Sequence, residues 1–175
     1  MPPRKFKELY FPMLNLPFPI IEKTIRKLSA SDVFHFSLIS PEHLEYVRST
    51  TGHALSRAQF ELELRSPEEI AIHFTPVDAR TATFSILVYD MEKATRNIRR
   101  NENLDSGING IPIKIIRNRN KSTVYVPSGF DSKIALWKYC FEELKCRNIS
   151  LHFNSESHSP SAFKPIMDVF EQYWT

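Results

Sequence analysis

Hydrophobic spacing changes period once along this chain, and that change limits what can be built on either side of it. Before residue 50, apolar residues recur at helical intervals. Ile21, Ile25 and Leu28 follow one another at spacings of four and three, which puts them on one face of a helix. From Ala58 the interval is two. Phe60, Leu62 and Leu64 alternate with Glu61, Glu63 and Arg65, and Ile70, Ile72 and Phe74 repeat the pattern after a Ser66-Pro67 turn. Alternation of this kind belongs to strands buried on one side. The chain therefore reads as α+β: a helical front of about residues 10–50, a short polar joint at 50–57 containing Gly52, and an antiparallel-sheet domain over residues 58–175.

The front holds three helix signals. Pro17 and Pro19 open the first, at positions where a missing N–H costs little. Ser29 with Asp32 forms a capping box for the second, and Ser40-Pro41-Glu42 opens the third. The second helix is apolar on more than one side, at Val33, Phe34, Phe36, Leu38 and Ile39. One of its faces closes on the neighbouring helices, and the other needs a further surface to cover it. Three short helices in some 40 residues stand at the limit of independent stability.

Behind the joint, Phe84, Ile86 and Val88 mark a third strand. After a polar loop with Gly107 and Gly110, residues 111–116 and 123–126 read as a hairpin. Ile134, Trp137, Phe141 and Leu144 place an amphipathic helix over about 131–145. Ile149, Leu151 and Phe153 mark one more strand. A last helix follows Pro160 or Pro165, with Phe163, Met167 and Phe170 inward.

A net charge of +3 does not by itself point to nucleic acid. The charge is unevenly placed, however. Between residues 93 and 121 eight cations face only Glu102 and Asp105, a local charge of +6. Arg96, Arg99, Arg100, Lys114, Arg117, Arg119 and Lys121 form the candidate substrate patch of this segment, and no aromatic residues interleave with them to stack bases. Cys140 and Cys146 show no CxxC spacing and read as free thiols of a reducing compartment. The basic start at residues 1–7 precedes an apolar run broken by Pro12, Pro17 and Pro19, so neither a signal peptide nor a membrane span is expected. The expected location is cytoplasmic or nuclear.

Residues in chemistry-bearing patterns are few. Six histidines (His35, His43, His53, His73, His152 and His158) include no pair at a metal-ligating interval. His73 and His152 alternate within strands and are expected to face solvent. There is no GxSxG elbow, and four glycines leave no phosphate-cradling loop. Glu61 and Glu63 share a strand face, as catalytic carboxylates do, but solvent-facing alternation accounts for them. No enzyme activity, metal or cofactor is expected.

One ungapped pattern is more specific. Leu16-Pro17, Ile20-Ile21, Ile25, Leu28, Asp32-Val33, Phe36 and Leu38-Ile39-Ser40 run over about 25 residues in the order and spacing of an F-box. The stretch FPMLNLPFPIIEKTI is similar to the F-box families expanded in nematodes. More loosely, ALWKYCFEELKCRNISLHF resembles part of their C-terminal F-box-associated region. The pattern departs at Pro19, where an acid usually stands, and at Pro41 and His43 in the third helix. The resemblance implies a three-helix F-box whose Leu16, Pro17, Ile20, Ile21, Ile25, Leu28, Val33, Leu38 and Ile39 bind a Skp-family adaptor, and through it a cullin scaffold. It implies that the rear domain captures a substrate protein for ubiquitin transfer by partner enzymes, the chain itself breaking no bond. That associated region commonly runs further than this chain does. The rival expectation is an α+β domain binding nucleic acid or protein, with N-terminal helices that serve only as packing.

Overall fold

The structure is a computed structural model and describes residues 15–77, 82–94, 104–153 and 160–172. Three helices come first: α1 (Phe18–Ile25), α2 (Ala30–Ser37) and α3 (Pro41–Ser49). The caps form as the sequence indicates. Ser29 Oγ accepts from the Asp32 amide at 3.1 Å and donates to the Asp32 carboxylate at 2.7 Å, while Ser40 Oγ accepts from the His43 amide at 3.4 Å.

Seven strands follow: β1 (Ala58–Ser66), β2 (Glu69–Pro76), β3 (Phe84–Asp90), β4 (Leu104–Ile108), β5 (Ile111–Asn118), β6 (Lys121–Val126) and β7 (Arg147–Phe153). They form one sheet in the order β4-β5-β6-β3-β2-β1-β7. The sheet is mixed, which corrects the antiparallel expectation: β3 pairs with β6, and β1 with β7, in parallel. Alternation records which side of a strand is buried and says nothing of its direction. Direction comes from the connections. The helix α4 (Phe130–Lys138) with its π-helical extension Tyr139–Glu143 lies between β6 and β7, and a helical crossover returns the chain parallel. The segment expected as a single helix over 131–145 thus changes its hydrogen-bond period at Tyr139. The last helix, α5 (Lys164–Glu171), starts with Pro165 in its first turn and buries Phe163, Ile166 and Phe170, with Ile166 in the place expected for Met167.

Among the described residues α3 packs between α1 and α2, while α2, α4 and α5 pack on one side of the sheet. There Phe60, Phe74 and Phe84 stand in register across β1, β2 and β3, with ring centroids 5.4 and 5.7 Å apart, and Phe34 of α2 closes the row at 5.8 Å from Phe84. Such pairs add about 0.5–1.5 kcal/mol each beyond their buried area. Polar contacts accompany the row. His35 Nε2 lies 3.1 Å from Ser122 Oγ, and Tyr139 donates to Ser37 Oγ at 2.7 Å. Helices and sheet therefore share one core, which runs across the polar joint. Lys133 of α4 is only 1% exposed; its ammonium donates to the Asp90 carboxylate at 2.6 Å and to the Pro67 carbonyl at 2.9 Å, so the buried charge is neutralised and hydrogen-bonded.

Candidate functional site

The residues that resemble an adaptor-binding set divide between core and surface. Ile21, Ile25, Val33 and Leu38 are buried in this chain's own core. Leu16 and Leu28 are half-buried against it. Pro17, Ile20 (49% exposed) and Ile39 (55%) reach solvent, and so does Phe18 (42%), which the sequence reading did not single out. Helical spacing explains the split. Ile21 and Ile25 are four apart and face inward, whereas Ile20 falls on the opposite side of the same helix. Phe18 stacks on Tyr46 of α3, centroids 6.1 Å apart, so its ring is held in place while one side stays open.

Among the described residues the basic segment is divided between the two faces of the sheet. Arg96, Arg99 and Arg100 lie outside the described residues. Lys114 and Lys121 are paired in register with Tyr125 and Ser85, on the sheet face away from the helices. Arg117 falls on the opposite face, opposite Ser122, and there its guanidinium pairs with the Asp32 carboxylate of α2. Together with Ser29, Arg117 holds the Asp32 carboxyl below its usual range, against the opposing effect of burial. Arg119 sits at the exposed hairpin tip with φ of 42°.

The face of the sheet turned away from the helices carries a constellation that sequence reading missed. His73 does not face solvent freely. Its Nδ1 is 2.8 Å from Ser85 Oγ and its Nε2 is 3.1 Å from a Glu63 carboxylate oxygen. The Arg65 guanidinium also holds that oxygen at 2.8 Å, and this bond is the main reason the Glu63 carboxyl titrates low. Serine, histidine and carboxylate in contact have the residue types of a nucleophilic triad. The setting does not supply the rest of one. Ser85 lies within a paired strand, and its own amide donates to the Asn120 carbonyl at 2.9 Å, so that amide is not free to meet a developing oxyanion. The cluster is a cross-strand polar network. Its sequence signal was the register of β1, β2 and β3, which single-strand alternation does not fix.

Of the other histidines, His152 is exposed, with its Nε2 3.9 Å from a Glu61 carboxylate oxygen, and His158 lies outside the described residues. Burial lowers the pKa of His35 and of His43. His53 is fully buried and pushed down to about 4, by burial first and then by Lys145 and Arg57. Both cysteines are buried thiols, and burial raises their pKa values. Among the described residues no group of three His, Cys, Asp or Glu side chains is placed to hold a metal, and no helix is long and apolar enough to cross a membrane. No family model, curated protein or solved structure matches the chain.

Proposed function

We propose that this chain is a non-catalytic docking subunit of the F-box type. In this reading α1–α3 bind a Skp-family adaptor, the adaptor links the chain to a cullin scaffold, and the rear α+β region holds a substrate protein near the ubiquitin-transfer machinery. Its contribution is effective concentration. The observation that carries the reading is the exposure of Pro17, Phe18 and Ile20 on the first turn of α1, where the F-box-like pattern begins, while the inward face of that helix is satisfied by the chain's own core.

Magnitudes limit the reading. A fully buried Ile or Phe contributes about 1.5–3 kcal/mol. Phe18, Ile20 and Ile39 are each about half exposed, so covering them yields roughly 2–5 kcal/mol gross. Association costs about 4–15 kcal/mol. Apolar contact by these three cannot hold a partner alone, and a polar rim must add to it.

Co-expression with a Skp-family adaptor tests this. The wild type is expected to co-purify, and Phe18→Asp with Ile20→Asp is expected to abolish the complex while leaving the circular dichroism spectrum unchanged. Absence of a wild-type complex, or an unaffected double variant, overturns the reading. The second reading, a binding domain with purely structural helices, is favoured by the core that Val33, Phe34 and Leu38 share with the sheet. A folded chain that ignores the adaptor would support it.

A further inference from the structure

Two clefts open on either side of Arg57, at the polar joint between α3 and β1. The larger, about 620 Å³, has Arg26, Lys27 and Arg57 in its walls, with Ser29 at the start of α2 and the apolar Leu28 and Val77 beside them. The smaller, about 230 Å³, is walled by Arg57 and Lys145 with Thr50, Thr51 and Ser56. The two are neighbours: Arg57 lines both, and Arg26 of the first donates to Thr51 Oγ1 of the second at 3.2 Å. The larger volume falls in the range of small-molecule sites.

The described lining has one sign of charge. Among the described residues no carboxylate lines either cleft. Glu22 sits behind Arg26 at 2.7 Å and offsets that one cation, and the Lys145 ammonium donates to the Arg48 carbonyl at 2.6 Å. No carboxylate among the described residues pairs with Lys27 or Arg57. His53, between Gly52 and Ser56, senses the same field, since Lys145 and Arg57 both disfavour its protonation. Its Nδ1 accepts from the Ser56 amide at 3.2 Å, which leaves the proton on Nε2, and that buried Nε2 has no acceptor among the described residues. Guanidinium forks match phosphate oxygens two at a time, and hydroxyls complete the shell. No aromatic side chain among the described residues lines either cleft, so nothing is provided to stack a nucleobase.

We infer that these neighbouring clefts together bind a small molecule carrying two or more closely spaced phosphate groups and no base, with Arg57, common to both, between the phosphates. The site is independent of adaptor docking. It lies at the joint, whereas the proposed docking residues Phe18 and Ile20 lie on the first turn of α1.

Titration of the whole folded chain with inorganic tripolyphosphate tests the inference, followed by calorimetry and by NMR of the histidine rings. Saturable 1:1 binding is expected at low salt, weakening as salt rises, with the His53 ring and the Gly52 and Ser56 amides shifting. Arg57→Gln is expected to weaken binding at least tenfold, Arg57→Lys less, and Lys114→Ala, on the far face of the sheet, not at all. Equal loss on Lys114→Ala would reveal diffuse charge attraction and overturn the site. Inorganic phosphate binding as tightly as tripolyphosphate would overturn the need for several phosphates. Oligouridylate binding more tightly than tripolyphosphate would make the ligand a nucleic acid and overturn the stated class. Absence of saturation at low salt with the wild type would end the proposal.

Discussion

His53 shows how one buried residue ties stability to pH. The unfolded imidazole titrates at its ordinary value of about 6.5, and the folded one at about 4. Between those values the unfolded chain binds more protons, so stability rises with pH through this window and falls as pH drops. His53 alone is expected to lower stability by about 2 kcal/mol between pH 7 and pH 5, and His35 adds a loss of the same sign. The depressed carboxyls of Asp32 and Glu63 act elsewhere. Their stabilisation is complete above the ordinary carboxylate range and is lost only below it, so the interval from pH 7 to pH 5 reports on histidines. Urea midpoints at pH 7 and pH 5 check this. His53→Asn keeps an acceptor for the Ser56 amide, and it is expected to flatten the dependence by most of that amount. An unchanged slope would show that the ring is not buried in its neutral form.

Elements were legible wherever a residue's chemistry is local, and obscure wherever register or direction decides. Ser29-Asp32 and Ser40-Pro41 announced their helices because a cap satisfies amides within three residues of itself. Phe60, Leu62 and Leu64 announced a strand because burial on one face imposes the alternation. The strand β4 falls where the sequence reads as a polar loop, although a local signal stands beside it. Asn109 and Gly110 have φ of 51° and 80°, and positive values at both positions are what a two-residue type I′ hairpin turn requires. Ile108 and Ile111 pair across it. The split of the proposed docking residues was written in the helical spacing of α1, but sequence similarity weighs Ile20 and Ile21 alike, although their side chains leave the helix in different directions. The turn gives a prediction at this scale. A Cβ at Gly110 meets nothing within 4 Å, so Gly110→Ala suffers only the left-handed backbone strain of about 1–2 kcal/mol. For a chain of this size the expected fall in Tm is about 2–8 °C by calorimetry. A neutral result would mean that the hairpin closes through another turn.

At the scale of the molecule, the change of hydrophobic period near residue 58 divides the sequence more sharply than it divides the packing. The joint separates helical from alternating spacing, yet the core continues across it from Phe34 of α2 to Phe84, Phe74 and Phe60 of the sheet. Long-range partners such as His35 with Ser122 and Ser37 with Tyr139 are 87 and 102 residues apart in sequence, and no local pattern announces them. The shared core bears on the proposed function, since a docking module that needs the sheet beneath it would hold whatever the sheet binds at a fixed distance from its own partner. It also predicts how fragments behave. Residues 58–175 without α1–α3 would expose Phe84 and its neighbours and leave Ser122 without its His35 partner, while residues 10–50 alone bury too little to offset chain entropy. Both fragments are therefore expected to lack cooperative unfolding and dispersed amide resonances when expressed separately, and to regain both when mixed or fused. If residues 58–175 melted cooperatively alone, at a midpoint close to that of the whole chain, the helices would be an appended module and the fixed geometry between docking face and sheet would be lost.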